Sequence, residues 1–283
     1  MAPLLPFTAS LLASRAGVEF GVGALQLAIS VANVVDTTPT KTGYSKFSHD
    51  VKAVAWPVTG RQAMLLIYTP AFLFALHRSA VFARLWQRGA LAAAVTNGRE
   101  PLTAALLAVH FFKRLVETLF LHRYSSTATD GAVGATIGVY YLLTSALIAW
   151  AQGGVPATAY ASPAAKGLLL VGLVLFTVGQ LGNLYHHYLL RLLRSSSPSS
   201  SSTGKNYVVP RGGLFAYVVT PHYLFEIIAW AGLALVTQQA NAALVAVSMA
   251  SYLAGRAKQT LAWYTDNVKG FPKDRKAMIP GLF

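Results

Sequence analysis

The 283-residue sequence contains no cysteine, which excludes disulfides, thiol chemistry and a cysteine-built zinc cage. Charge is also scarce. Only 11% of residues are Asp, Glu, Lys or Arg, against about 25% in an ordinary soluble domain. That charge stands in blocks, with no ionised side chain from Gly131 to Ala165, from Gly167 to Leu190 or from Ile227 to Gly255. The sequence lacks a GxGxxG after a strand pattern and lacks a P-loop, so a Rossmann cofactor domain is excluded. No Asp/Glu/His grouping has convincing metal-ligand spacing, and no metal is expected. The first residues, MAPLLPFTASLLASRAGVEF, lack a basic stretch before the apolar one and do not read as a cleaved signal.

What remains is apolar: 54% of residues are hydrophobic and the mean hydropathy is +0.49. A helix needs about 20 apolar residues to cross the hydrocarbon core. The apolar runs predict an all-α, polytopic membrane protein of about seven transmembrane helices. The expected spans are residues 8–33, 61–77, 101–122, 132–151, 166–192, 217–236 and 240–263. Residues 78–100, where arginines bracket a short Ala-rich piece, read as a surface or re-entrant segment. The run SSSPSSSST at 195–203 reads as a flexible linker outside the bilayer, because unpaired backbone cannot face lipid. The net charge of +14 comes from Lys and Arg between apolar runs, so it points to flanked membrane spans and not to nucleic acid. Loop charge places the C-terminus, with Lys269, Lys273, Arg275 and Lys276, in the cytosol.

Polar residues recur inside these spans at helical spacing. His110, Arg114 and Glu117 fall at i, i+4 and i+7, with Lys113 beside them. Asn183, His187 and Arg194 lie within about 40° of one another on a helical wheel. Arg256, Thr260 and Tyr264 repeat every four residues. Ionisable groups at membrane depth are expensive; any one of these could snorkel to the headgroups, but three stripes together with the 207–226 cluster point to a site. The densest mixture is Tyr207 to Glu226, YVVPRGGLFAYVVTPHYLFE. There Pro210 and Gly212-Gly213 force a turn, Pro221 suits a first helical turn, and His222, Tyr223 and Glu226 could share a face. Arginines, an Asn and aromatic rings converging beside a membrane suit a phosphorylated ligand with an aromatic head.

The segment YVVPRGGLFAYVVTPHYLFEIIAWAG, followed by GRAKQTLAWY and FPKDRKAMIPGLF, resembles the C-terminal domain of the steroid 5α-reductase family. The stretch VHFFKRLVETLFLHRYS is similar to the branch containing the very-long-chain trans-2-enoyl-CoA reductases, and residues 61–73 look like plant members of the superfamily. The resemblance implies a multi-pass protein of the endoplasmic reticulum membrane that reduces an activated carbon–carbon double bond with NADPH. It implies an N-terminal membrane region at 1–100 and a reductase membrane domain at 101–283. By the same resemblance, Asn183, Arg194, Tyr207, His222, Arg256 and Tyr264 contact the cofactor. Tyr223 matches the proton-donating tyrosine of the enoyl-CoA reductases, and Glu226 the glutamate after it.

The departures concern the substrate. In the steroid reductases a tyrosine follows the His of the third-span motif and works with a glutamate on the second span. Here that position is Phe111, and the second span holds no carboxylate. His187 stands where steroid reductases have Asp, and Leu261 replaces a common His. The leading expectation is therefore reduction of a trans-2,3-enoyl-CoA in very-long-chain fatty-acid elongation, with other elongation enzymes as partners. The alternatives are reduction of a steroid or polyprenoid substrate, or a non-catalytic family member.

Overall fold

The computed structural model describes residues 17, 21, 23–25, 27–28, 56–79, 99–124, 128–153, 155, 157–196 and 209–283. Apart from helical positions between Gly17 and Ala28, the expected span at 8–33 lies outside the described residues, as do residues 80–98 and 197–203.

Six helices follow, numbered in chain order: α1 Gly60–Ser79, α2 Glu100–Val116, α3 Gly131–Gly153, α4 Pro163–Ser196, α5 Pro221–Thr237 and α6 Ala240–Asn267. Their starts follow local sequence rules. Thr59 and Gln62 form a reciprocal capping box, in which Gln62 N donates to Thr59 Oγ1 (3.2 Å) and Thr59 N to Gln62 Oε1 (2.9 Å). Asp130 Oδ1 accepts from Ala132 N at the head of α3, and Ser162 Oγ from Ala165 N at the head of α4. Proline opens α2 and α5, where its missing N–H is no loss. Helix α5 stops at Gln238, whose φ of 53° is left-handed, and α6 begins two residues later.

The helices form one bundle in which α1 packs on α2 and α3, α4 pairs with α5, and α5 leads into α6. The membrane reading rests on the orientation of side chains. On α4, Leu170, Val174 and Leu181 are more than 60% exposed, whereas Gln180, Asn183, His186 and His187 are buried. Apolar outside and polar inside is the reverse of a water-soluble helix. Among the described residues two helices, Gly131–Gln152 and Pro163–Leu193, are long and apolar enough to cross a membrane, and Pro221–Thr237 is a shorter apolar helix.

Three sequence expectations need adjustment. The span expected at 217–236 begins only at Pro221, because Tyr217 to Thr220 pair with the C-terminal tail instead. Lys276 N donates to Tyr217 O (3.0 Å), Val219 N to Lys276 O (3.0 Å) and Thr220 N to Ala277 O (3.1 Å). The span expected at 101–122 is α-helical only to Val116, and Glu117–Leu121 forms a π turn closed by His122 N donating to Glu117 O at 2.7 Å. The 78–100 segment, expected to be surface or re-entrant, is drawn inside the bundle at its end. Arg99 is 2% exposed, donates to Val236 O (2.8 Å) and Ala165 O (3.0 Å), and lies over the Tyr160 ring. Those bonds satisfy a carbonyl at the end of α5, where the helix dipole is negative.

Candidate active site

The polar residues gather at one end of the bundle, where α2, α4 and α6 finish and α5 begins. Helix α2 and the π turn that follows it supply four of them, His110, Lys113, Arg114 and Glu117. Arg114 Nη1 donates to Glu117 Oε2 (2.6 Å) and lies 3.3 Å from His187 Nδ1. Its Nη2 donates to the Tyr68 hydroxyl of α1 at 2.7 Å. Glu117 is fully buried, with His187 Nδ1 3.1 Å and Lys113 Nζ 3.6 Å from its Oε1. Lys113 also donates to Asn183 Oδ1. The i, i+4, i+7 stripe therefore faces protein and not headgroups, and its charges are paired as burial demands.

Helices α4 and α5 close the cluster. Asn183 Nδ2 donates to His222 O at 2.8 Å. His110 Nε2 lies 3.3 Å from Glu226 Oε1, which also accepts from Trp230 Nε1 at 3.3 Å, and Gln180 Nε2 lies 2.9 Å from His110 Nδ1. The adjacent histidines diverge as their spacing requires. His187 faces Glu117, while His186 holds Gly182 O at 2.7 Å and accepts from Leu214 N at 3.1 Å. That bond seats the Gly212-Gly213 turn on α4. Both glycines have positive φ, 90° and 49°, and a Cβ on Gly213 would stand 2.9 Å from His186 Nε2.

The sequence-expected site residues are only partly brought together. Asn183, His222 and Glu226 enter the cluster, but the shared face expected for residues 222, 223 and 226 splits among three neighbours. The His222 ring lies 5.2 Å from His187, Glu226 meets His110, and Tyr223 packs against the Ala257, Ala277 and Met278 cluster. Arg256 is buried on α6 and donates to Gln259 Oε1 (3.4 Å). Tyr264 stacks on Phe271 of the tail, with ring centroids 5.5 Å apart. Arg194 ends α4 but its side chain lies outside the described residues, as does Tyr207.

Sequence reasoning missed Tyr68, Gln180 and Lys113's link to Asn183, because single apolar-looking spans do not say which helix they will face. It also missed a group of possible metal ligands. Glu117, His122 and His187 each offer one ligand atom within 4.8 Å of the others, an arrangement produced by the π turn. The Arg114 guanidinium already touches Glu117 and His187, so a divalent cation there would stand against a fixed positive charge.

Comparison with known proteins finds relatives along most of the chain. The family model described as "3-oxo-5-alpha-steroid 4-dehydrogenase" matches residues 132–283. The chain is 40% identical over 114 residues to "3-oxo-5-alpha-steroid 4-dehydrogenase 1" of Macaca fascicularis, covering 40% of this chain and 41% of that one. It is 38% identical over 114 residues to "Steroid 5-alpha-reductase DET2" of Solanum lycopersicum, covering 40% and 42%. These matches span about two fifths of each relative's length. A longer match, 30% identical over 245 residues, links it to "3-oxo-5-alpha-steroid 4-dehydrogenase 2" of Macaca fascicularis and covers 86% of this chain and 88% of that one. With its C-terminal half inside the family's domain and a relative aligned along most of its length, the chain belongs to the steroid 5α-reductase family.

Proposed function

We propose that the protein is an NADPH-dependent reductase of a carbon–carbon double bond conjugated to a carbonyl in a membrane lipid, with a 3-oxo-4-ene steroid as the leading substrate class. The observation that carries this reading is the set of unused valences in the buried cluster. Among the described residues, Glu226 Oε2, His222 Nδ1 and Gln180 Oε1 are buried without a hydrogen-bond partner. Such atoms are costly unless a ligand takes them up. A carboxamide, which offers two N–H donors and a carbonyl, fits them, so the residues suit a nicotinamide. When bound, NADPH supplies the hydride.

The chain's own residues bind and orient. His222 and Glu226 hold the amide end, Glu226 being kept in place by Trp230 and His110. Asn183 spans Lys113 and the His222 carbonyl and so sets the distance between α4 and α5. Arg194, Tyr207, Arg256 and Tyr264 take the phosphates and the adenine, by charge-assisted forks and ring stacking. Arg256→Ala is expected to raise the NADPH Kd at least tenfold, since a hydrogen bond to a charged group contributes about 1.5–3 kcal/mol. Isothermal titration of the purified protein reads this directly, and an unchanged Kd removes Arg256 from the site.

The steroid class is placed first because the relatives described above carry steroid-reductase names. One observation favours the enoyl-CoA reading: position 111 is a phenylalanine while Tyr223 opens α5 beside His222, with ring centroids 4.4 Å apart. In that reading Tyr223 is the proton donor, and Tyr223→Phe lowers kcat on an enoyl-CoA by about a hundredfold or more. Full activity of that variant would remove the assignment. The basic tail residues Lys269, Lys273, Arg275 and Lys276 support a cytosolic C-terminus, with NADPH entering from the cytosol, and the family resemblance supports an endoplasmic reticulum membrane. Elongation enzymes are partners only in the enoyl-CoA reading. Incubating the purified protein with NADPH and a panel of 3-oxo-4-ene steroids, enoyl-CoAs and polyprenals tests the whole proposal. Steroid-dependent NADPH oxidation is expected. Failure to bind NADPH would overturn the reductase reading.

A further inference from the structure

Reduction of a conjugated carbonyl needs an acid at the carbonyl oxygen, and Phe111 cannot be one. Helix α1 contains no carboxylate either. It does contain Tyr68, two residues before Pro70. Pro70 cannot donate to the Leu66 carbonyl, and α3 approaches closely there: a Cβ on Gly138 would lie 2.3 Å from Leu66 O. That close approach wedges the Tyr68 ring between Phe111, 6.5 Å away by ring centroids, and Tyr141, 6.1 Å away. Tyr68 is 7% exposed, and its hydroxyl oxygen accepts a hydrogen bond from Arg114 Nη2 at 2.7 Å. The oxygen's own proton has no acceptor among the described residues. A buried phenol held by a guanidinium, with its proton undirected, is an acid awaiting an acceptor.

We infer that Tyr68 donates its proton to the carbonyl oxygen of the substrate, restoring from α1 the phenol missing at position 111. The inference rests on the reductase reading. As hydride adds to the β-carbon, the C=C electron pair moves toward the carbonyl and an enolate forms. The Tyr68 O–H bond breaks and its proton moves to the enolate oxygen. The phenolate is held by Arg114, itself braced by Glu117 at 2.6 Å, and regains a proton from water. The enol then gains a proton from water at the α-carbon and loses the one on oxygen, giving the ketone. One hydride and one solvent proton are consumed in all. Among the partly buried phenols, Tyr141 meets Phe111 and Tyr68 ring to ring, and Tyr223 packs against the Ala257, Ala277 and Met278 cluster.

Tyr68→Phe keeps the ring and its packing, so the variant is expected to fold. The first measurement needs no cofactor: a bound 3-oxo-4-ene steroid shifts its absorption to longer wavelength when its carbonyl accepts a hydrogen bond. Wild type is expected to show the shift, and Tyr68→Phe to bind the steroid within about tenfold while losing it, since one neutral hydrogen bond is worth about 0.5–1.5 kcal/mol net. The second is turnover, expected to fall about a hundredfold or more with the NADPH Kd unchanged. A variant that keeps the shift, or keeps kcat within fivefold of wild type, overturns the role of Tyr68 alone. A wild type that binds neither steroid nor NADPH overturns the reductase reading beneath it.

Discussion

Glu117→Ala is expected to destabilise the protein by about 3–5 kcal/mol, the usual effect of removing one partner from a buried ion pair. Glu117 is 0% exposed and is the anion around which Arg114, Lys113 and His187 are arranged. Without it, two cations from one helical turn face each other in an apolar interior, with Glu226, already paired with His110, as the remaining carboxylate within electrostatic reach. Removing the whole pair should be milder. Arg114→Met with Glu117→Leu removes a cation together with its anion and leaves Lys113 its bond to Asn183 Oδ1, and such paired replacements are often neutral or stabilising. Thermal unfolding in detergent separates the cases. At roughly 2–4 °C per kcal/mol for a chain of this size, Glu117→Ala should lower Tm by on the order of 10 °C. A Tm within about 2 °C of wild type would mean that the cluster does not hold the helices together.

An equally large loss is expected from Gly179→Val, for steric reasons. A Cβ at Gly179 would stand 2.4 Å from Ala229 N and 2.7 Å from Ala229 Cα. Across the same interface, a Cβ at Gly232 would stand 2.4 Å from Phe176 N, and one at Gly172 2.7 Å from Gly232 O. These obstacles are backbone, so no rotamer change relieves them and α4 must separate from α5. In membranes small residues let helices approach where no hydrophobic force drives them together. Separation also carries Gln180 away from His110 and Asn183 away from the His222 carbonyl, one turn further along. Gly179→Val should therefore fail to accumulate as folded protein. Gly167→Ala, on the same helix with nothing within 4 Å of its Cβ, should be neutral or more stable by up to about 1 kcal/mol. Equal yields of the two variants would show that the α4–α5 contact is not what holds the bundle.

Much of this protein was legible before its helices were placed. Apolar runs located α1, α3, α4 and α6 within a few residues, and Gly212-Gly213 and Pro221 marked the turn and the start of α5. The Thr59-x-x-Gln62 box, though legible in principle, went unused. The 110/114/117 and 183/187 stripes follow from 3.6-residue periodicity alone, which decides which residues share a face. Periodicity says nothing of the face on the other side. Only the tertiary structure put Glu226 against His110, Lys113 against Asn183 and Tyr68 against Arg114, because those pairings join helices far apart in sequence. The pairing of Tyr217–Thr220 with Lys276 and Ala277, and the π turn at Glu117, are of the same kind. Local sequence favours a helix at both places, and contacts with α4 and the C-terminal tail, absent from any single segment, override it.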